Sequence, residues 1–141
     1  MRGLNWDGMV THLQVKKYFL IGASATIFMV GSLYGVSPSW FARVFLGVPE
    51  LDHNLAHILR AFMCLYLGFG LFWLLAAFSD TYRNAALLTA TLFPAGLVVG
   101  RVLSFVVDGP PSTLLFIYML FEFVQAPLAY WVFTLSDDGT T

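Results

Sequence analysis

Charged residues are scarce in this sequence of 141 residues, and the few present are nearly balanced in sign. Lys and Arg together number 7 and Asp and Glu number 8, so 11% of the residues are charged and the net charge is −1. In a typical soluble domain about a quarter of the residues are charged. The shortage excludes an ordinary soluble enzyme and a disordered tail. The lack of a basic excess argues against a nucleic-acid-binding protein.

Cysteine is almost absent as well. The one cysteine of the sequence, Cys64, can form neither an internal disulfide nor a cysteine-based zinc site, which excludes a disulfide-stabilised scaffold. Two histidines four residues apart, His53 and His57, could face one side of a helix and bind a metal together with Asp52 or Glu50. This is a weak signal near a membrane surface, so we expect hydrogen bonding there and neither a metal nor a cofactor.

Apolar residues are what the sequence has in excess. They make up 59% of the chain, and the mean hydropathy is +0.79. A helix needs about 20 apolar residues to cross a membrane, and four blocks reach that length: residues 18–36, 51–78, 85–107 and 113–135. None of them alternates apolar and polar residues as a transmembrane β-strand does. The predicted fold class is therefore all-α, a single-domain transmembrane four-helix bundle over residues 1–141.

The connections between these blocks are rich in turn-forming and polar residues. Residues 79–84 form a polar turn, and residues 108–112 include two prolines that forbid a continuous helix. The longer connection over residues 37–50 mixes apolar and charged side chains. It predicts a short helix in the membrane interface, between the first and second spans, with Ser39 as its cap.

Lysine and arginine are distributed unequally between the two sides that this topology defines. The side of the termini carries Arg2, Lys16, Lys17 and Arg83, whereas outside the spans the other side carries Arg43 alone. Because positively charged segments are retained in the cytoplasm, we expect both termini to be cytoplasmic.

Three charged residues lie in the predicted spans away from the span ends: Arg60, Arg101 and Glu122. A charge at the bilayer centre costs roughly 2.5–3.5 kcal/mol on insertion scales, so such residues usually face the bundle interior and find partners. With a rise of about 1.5 Å per residue, antiparallel helices would place all three at a similar depth, in the half of the membrane away from the termini. We therefore expect them to meet in one buried network beneath a polar cavity.

Each of these charges also belongs to a stripe of polar or small residues at helical spacing. On the second span the stripe begins at His53 and continues through Cys64 to Gly68. Two arginines facing one glutamate would leave about one positive charge uncompensated unless Asp108 joined them, which favours an amphiphile with an anionic or carbonyl head group. The predicted ligand-binding or buried network consists of these residues: Arg60, Arg101, Glu122, His57, Asp108, Ser104, Tyr118 and Gln125.

Two pairs of glycines, Gly31 with Gly35 and Gly96 with Gly100, have the spacing that lets helix backbones approach closely. Packing within the bundle is the favoured interpretation of both pairs. A face for a homo-oligomer is the alternative.

The chain resembles a known family at several of these positions. In its motifs it is similar to the bacterial family called domain of unknown function 4345, over roughly residues 18–133, and more distantly to the DoxX-like group of small four-span membrane proteins, some of which are subunits of membrane redox complexes. The resemblance implies a four-helix protein of the bacterial inner membrane and assigns no catalytic role. It is carried by these motifs: Arg60-Ala61-Phe62, Tyr66-Leu67-Gly68, Gly100-Arg101-Val102-Leu103-Ser104, Asp108-Gly109, Pro111-Ser112 and Glu122.

Several functions fit these patterns, and whether the protein is an enzyme is left open. We favour a non-enzymatic accessory subunit of a membrane complex or a binder of a lipid-like ligand, because no nucleophile with its base is evident. The alternative is a membrane-embedded isomerase or cyclase in which Glu122 acts as general acid/base while Arg60 and Arg101 stabilise an anion. A transporter would need several copies of so small a bundle, and a purely structural ion-pair network is a further interpretation.

Overall fold

The computed structural model describes residues 6–136, and every regular element in that part of the chain is helical. By length and hydropathy, four of these helices can cross a membrane. The predicted all-α bundle, with a short helix between its first two long helices, is confirmed. The elements are α1 over Trp6–Gly35, α2 over Pro38–Phe41 followed by a π-helical turn over Ala42–Leu46, α3 over His53–Ala76, α4 over Arg83–Asp108 and α5 over Thr113–Thr134.

Helix α1 begins well before the apolar block that predicts it. The predicted span starts at residue 18, whereas the helix already includes Trp6 and runs unbroken through Lys16 and Lys17. Lysine has a good helix propensity, so a polar segment can extend an apolar helix beyond the lipid. The apolar block marks the part of the helix that fits the hydrocarbon, and the helix itself is longer.

Local capping chemistry sets the starts of the later helices. The side chain of Asp52 caps α3 by accepting the backbone N–H two residues further on, and Ser112 caps α5 by accepting the N–H three residues further on. The prediction of Ser39 as a cap is wrong, because α2 begins at Pro38 with Ser37 before it and forms no side-chain cap bond. Proline suits the first position of a helix, since its ring presets φ and no N–H is left unpaired.

The four long helices pack as two pairs. Helix α1 packs most extensively against α3, and α4 against α5, while the contacts between the two pairs are much smaller. Two glycines allow the close approach of α1 to α3: a Cβ atom at Gly31 or Gly35 would fall 2.6 Å from the Cβ of Tyr66 or Met63, respectively. This pair of glycines therefore packs inside the bundle.

The helices converge where α1 begins and α5 ends, beside the turn over residues 79–82; we call this the terminal side. Its core contains the fully buried Trp73, Leu20 and Leu87. The indole N–H of Trp73 donates to Oγ1 of Thr89 at 3.0 Å, so this large side chain is both packed and satisfied. Small residues let the helices approach closely here: Ala76, Ala77, Ala86, Ala90 and Ala129.

Polar contacts at the terminal side connect the two helix pairs. Lys16, with 1% of its surface exposed, donates from Nζ to Oδ1 of Asn84 at 3.1 Å. The ring nitrogen Nδ1 of His12 lies 3.1 Å from the carbonyl oxygen of Ser136. These contacts join α1 to α4 and to the end of α5.

At the opposite end of the bundle, which we call the distal side, α4 and α5 separate from α1 and α3. Residues 102–108 of α4 are all exposed, and the described part of α5 has no buried residue before Glu122. The segment formed by α2 and the π-helical turn covers part of this side, where Phe41 and Phe45 pack with Leu59. The hydroxyl of Ser112 donates to the carbonyl oxygen of Phe45 at 2.9 Å.

Candidate functional site

An ion pair between Arg101 of α4 and Glu122 of α5 lies at the centre of the candidate site. Nε of Arg101 is 2.5 Å from Oε2 of Glu122, and a terminal guanidinium nitrogen is 3.0 Å from Oε1. Two such parallel hydrogen bonds form the bidentate arrangement in which arginine binds a carboxylate most strongly. Glu122 is 8% exposed, so the carboxylate is shielded from its surroundings, whereas the Arg101 side chain is 23% exposed.

The short connection between α4 and α5 brings these two residues to the same depth. Arg101 lies roughly 10 Å before the end of α4, and Glu122 roughly 14 Å after the start of α5, at about 1.5 Å per residue. Gly109 has a φ of 93°, a conformation that side-chain-bearing residues rarely adopt. This glycine ends α4 abruptly and lets α5 return beside it, so that Arg101 can reach Glu122.

Two tyrosines absent from the predicted network lie beside the ion pair. The rings of Tyr34 and Tyr66 have centroids 5.3 Å apart, and the Tyr34 side chain interacts with both Tyr66 and Arg101. Tyr66 is buried, with 5% of its surface exposed. A signal for Tyr66 exists in the sequence, because it lies seven residues from both Leu59 and Trp73 and so shares their helix face.

A cavity of about 260 Å³ adjoins the glutamate and reaches from α5 to α1. Glu122, Tyr118 and Gln125 line it, the last two being half-buried. Most of its wall is apolar and is formed by these residues: Ile27, Met29, Val30, Phe93, Pro94, Leu97, Ile117 and Phe121.

A second cavity, of about 600 Å³, adjoins the arginine and extends towards the distal side. Arg101, Ser104 and Asp108 line it, together with Tyr34. Tyr66 and Leu97 line both cavities, so the two volumes are neighbours, with Glu122 on the smaller and Arg101 on the larger. A largely apolar pocket into which a small number of polar groups converge is typical of a small-molecule site.

The glycines Gly96 and Gly100 of α4 line this second cavity. A Cβ atom at either position would have no neighbour within 4 Å. The prediction that this pair packs against another helix of the bundle is therefore wrong. Its missing side chains instead leave room in the cavity.

Arg60 does not join the ion pair, so the predicted meeting of three charged side chains is wrong. Its side chain is exposed, lines neither cavity and has no hydrogen bond or ion pair within residues 6–136. The reason is the rotation of α3 about its axis. Leu59, Tyr66 and Trp73 turn the buried face of α3 towards α1, and the stripe from His53 to Gly68 lies on the opposite face.

The remaining predicted residues divide between the interior and the surface. His57 is exposed on the outer face of α3 with Arg60. Asp108 and Ser104 are exposed at the mouth of the larger cavity. Among the described residues, no three His, Cys, Asp or Glu side chains are grouped to hold a metal ion.

The net charge of the site differs from the predicted one because Arg60 lies outside it. One guanidinium faces one carboxylate, so the expected excess of positive charge in the pocket is wrong. Since Arg101 and Glu122 compensate each other, an anionic head group would have to compete with the carboxylate for the same donors.

Comparison with known proteins gives one match. The model of the family described as "Domain of unknown function (DUF4345)" matches residues 15–133. No curated protein and no solved structure matches. The matched range includes both members of the ion pair, while the similarity to the DoxX-like group and the bacterial origin stay predictions from the sequence.

Proposed function

Because the chain belongs to the family called domain of unknown function 4345, whose description names no activity, we propose a function from the geometry of its site. The protein is a small membrane protein that binds a neutral, lipid-like amphiphile beside the Arg101–Glu122 pair. The observation that carries this proposal is a charge-balanced ion pair between two neighbouring cavities, with its carboxylate buried and two tyrosines beside it.

The ion pair favours a neutral head group. Arginine has five N–H donors, and Glu122 accepts two of them. The donors that neither Glu122 nor Tyr34 uses can bind a carbonyl or hydroxyl oxygen without separating the two charges. An anion would gain the same donors but would have to displace or repel the carboxylate, which is costly where little water is present.

The cavity walls favour an apolar tail. Ile27, Val30 and Phe93 belong to the smaller cavity, and Phe62, Leu97 and Leu115 to the larger one. Burial of apolar ligand surface contributes roughly 25 cal/mol per Å². A molecule with a long apolar tail and a compact polar head would use both parts of the site.

The enzymatic alternative has less support. A general base must accept the substrate proton, and each oxygen of Glu122 already uses one of its two lone pairs for a hydrogen bond from Arg101. Arg60, proposed from the sequence to stabilise an anion with Arg101, lies on the far face of α3. We therefore place binding before isomerisation or cyclisation.

Protein purified in a mild detergent tests the proposal by mass spectrometry of its bound small molecules. We expect an approximately stoichiometric neutral amphiphile with the unmodified chain. The informative variant is Gly100→Leu, which fills the larger cavity, and its matched control is Gly22→Leu. In both, the added side chain starts in open space, but Gly22 lines neither cavity.

The expected result is a loss of most of the amphiphile in Gly100→Leu and full retention in Gly22→Leu. Equal retention in both variants would contradict binding in the larger cavity. A stoichiometric protein in place of a small molecule would instead support the accessory-subunit role, for which the same purification is the test.

We also propose that the protein lies in a bacterial inner membrane with its terminal side in the cytoplasm. The support is the charge distribution: Lys16, Lys17 and Arg83 lie on the terminal side, and Arg43 lies in the segment over the distal side. Cysteine labelling in a Cys64→Ser background tests this orientation. A membrane-impermeant maleimide should label Glu50→Cys in intact cells lacking their outer membrane and Thr81→Cys only after permeabilisation, and the opposite pattern would refute it.

A further inference from the structure

The outer face of α3 carries a charged residue, a hydrogen-bonding residue and a groove on the same side of the helix. Arg60 and His57 are exposed there, one turn apart, and Cys64 and Gly68 continue the face. This face points away from both cavities and from α1. It is therefore a separate feature from the site described above.

Arg60 lies in the distal half of the hydrocarbon, several ångströms inside its boundary. The 24 residues of α3 span roughly 36 Å, about 6 Å more than the hydrocarbon core needs. Arg60 lies seven residues from the first residue of the helix, roughly 10 Å along its axis. The long arginine side chain can extend from that depth into the head-group layer while its stem stays in lipid.

The charge of this arginine is uncompensated on its own helix. Helix α3 contains no Asp or Glu, and the side chain of Asp52 before it serves as the helix cap. Glu122, the acid at comparable depth, is buried and bound to Arg101. The other described acids of the distal side, Glu50, Asp52 and Asp108, lie in the connection before α3 or at the end of α4, away from the outer face of α3.

A shallow groove of about 330 Å³ begins one turn deeper in the membrane than Arg60. Its floor is open at Gly68, where a Cβ atom would have no neighbour within 4 Å. The groove is lined by Cys64, Leu65, Gly68, Phe69 and Phe72.

We propose that this face binds an anionic phospholipid of the distal leaflet. Arg60 donates to the phosphate, His57 adds a hydrogen bond, and an acyl chain lies in the groove that Gly68 keeps open. The proposal rests on the match in order and depth: the donors Arg60 and His57 lie towards the head groups, and the apolar groove follows them along the same face. Phosphate oxygens suit arginine because they accept several of its N–H donors at once.

Intact-complex mass spectrometry of the full chain in detergent tests the head-group contact. Dioleoylphosphatidylglycerol and dioleoylphosphatidylcholine are the probes, and Arg43→Gln is the matched control for Arg60→Gln because Arg43 is an exposed arginine on a different segment. We expect the unmodified chain and Arg43→Gln to prefer phosphatidylglycerol. In Arg60→Gln, that preference should fall about tenfold, which corresponds to about 1.4 kcal/mol. Equal preference in all three proteins would overturn the proposal.

The groove contact has its own variant. Gly68→Leu fills the groove, and Gly22→Leu adds the same side chain at another open position outside the groove. We expect Gly68→Leu to weaken binding of the dioleoyl lipid while binding of dihexanoylphosphatidylglycerol stays unchanged, and Gly22→Leu to alter neither. If Gly68→Leu binds both lipids like the unmodified chain, the acyl chain does not lie in this groove.

Two further measurements separate a lipid from other occupants. Soluble glycerol phosphate should bind far more weakly than the lipid, and binding of equal strength would reduce the site to a simple anion site and overturn the proposal. The same spectra report the oligomeric state. If Arg60→Gln converts oligomers to monomers without changing the lipid preference, the face is a protein interface instead.

Discussion

The terminal and distal sides of the bundle are built from the same four helices and differ in what lies between them. On the terminal side alanines such as Ala86 and Ala90 let the backbones approach, and Trp73 fills the remaining space. On the distal side α4 and α5 separate from α1 and α3. The Arg101–Glu122 pair and the tyrosines beside it lie in the gap between the two helix pairs. Since lipid provides no hydrophobic force between helices, small contact residues decide where a bundle closes. On the distal side Gly31 and Gly35 close α1 against α3 only, and the space for a ligand lies between that pair of helices and the pair α4 and α5.

The largest effect should come from breaking the ion pair on the open side. We expect Glu122→Gln to destabilise the protein by about 3–5 kcal/mol, because it leaves the half-buried guanidinium of Arg101 without its counter-charge. Thermal unfolding in detergent measures the loss. Glu50→Gln, at an exposed carboxylate of the connection before α3, should unfold like the parent. If the two variants have equal melting temperatures, the pair does not hold the distal side together.

A smaller effect should come from overpacking the closed side. Ala86 is fully buried and its neighbour Ala85 is exposed on the same helix. We expect Ala86→Leu to cost about 1–3 kcal/mol because the tight contacts must spread, and Ala85→Leu to stay within about 0.5 kcal/mol of the parent. Melting temperatures of the two variants give the comparison. A well-tolerated Ala86→Leu would mean that the terminal side is less tightly closed than its burial indicates.

The smallest expected effect has the opposite sign. Gly96→Ala adds a methyl group in open space within α4, so we expect it to stabilise the helix by up to about 1 kcal/mol. The same change at Gly31 should destabilise the protein, because the new Cβ would fall 2.6 Å from that of Tyr66. Urea or detergent unfolding of both variants measures the difference. A destabilising Gly96→Ala would indicate that α4 contacts another surface along the distal cavity.

The sequence predicted the helices and the Arg101–Glu122 pair for the same physical reason. Apolar length determines what fits the membrane, and the short connection through Gly109 determines which residues of α4 and α5 share a depth. Both quantities are read along the chain. For Arg101 and Glu122, equal depth is sufficient to predict a contact, because consecutive antiparallel helices lie next to each other.

The error at Arg60 has a different origin. Its depth was predicted from helical rise, but its direction depends on which face of α3 is buried. Helix α3 carries two stripes at helical spacing: Leu59, Tyr66 and Trp73 form one, and the polar residues around Arg60 form the other. The charge of Arg60 favours the polar stripe as the interior face, whereas packing against Gly31 and its neighbours buries the stripe of Leu59, Tyr66 and Trp73. Rotation about a helix axis is set by partners on other helices, which local spacing does not contain.

The bond from Ser112 to the carbonyl oxygen of Phe45 ties the start of α5 to the segment that lies across the wider mouth of the bundle. If the proposed amphiphile exchanges with the surrounding lipid past this segment, its exchange rate would depend on how often the Ser112–Phe45 hydrogen bond breaks, as well as on the affinity of the site. Residence time would be governed by residues that touch neither the head nor the tail of the amphiphile, and a change there would alter kinetics while leaving affinity intact.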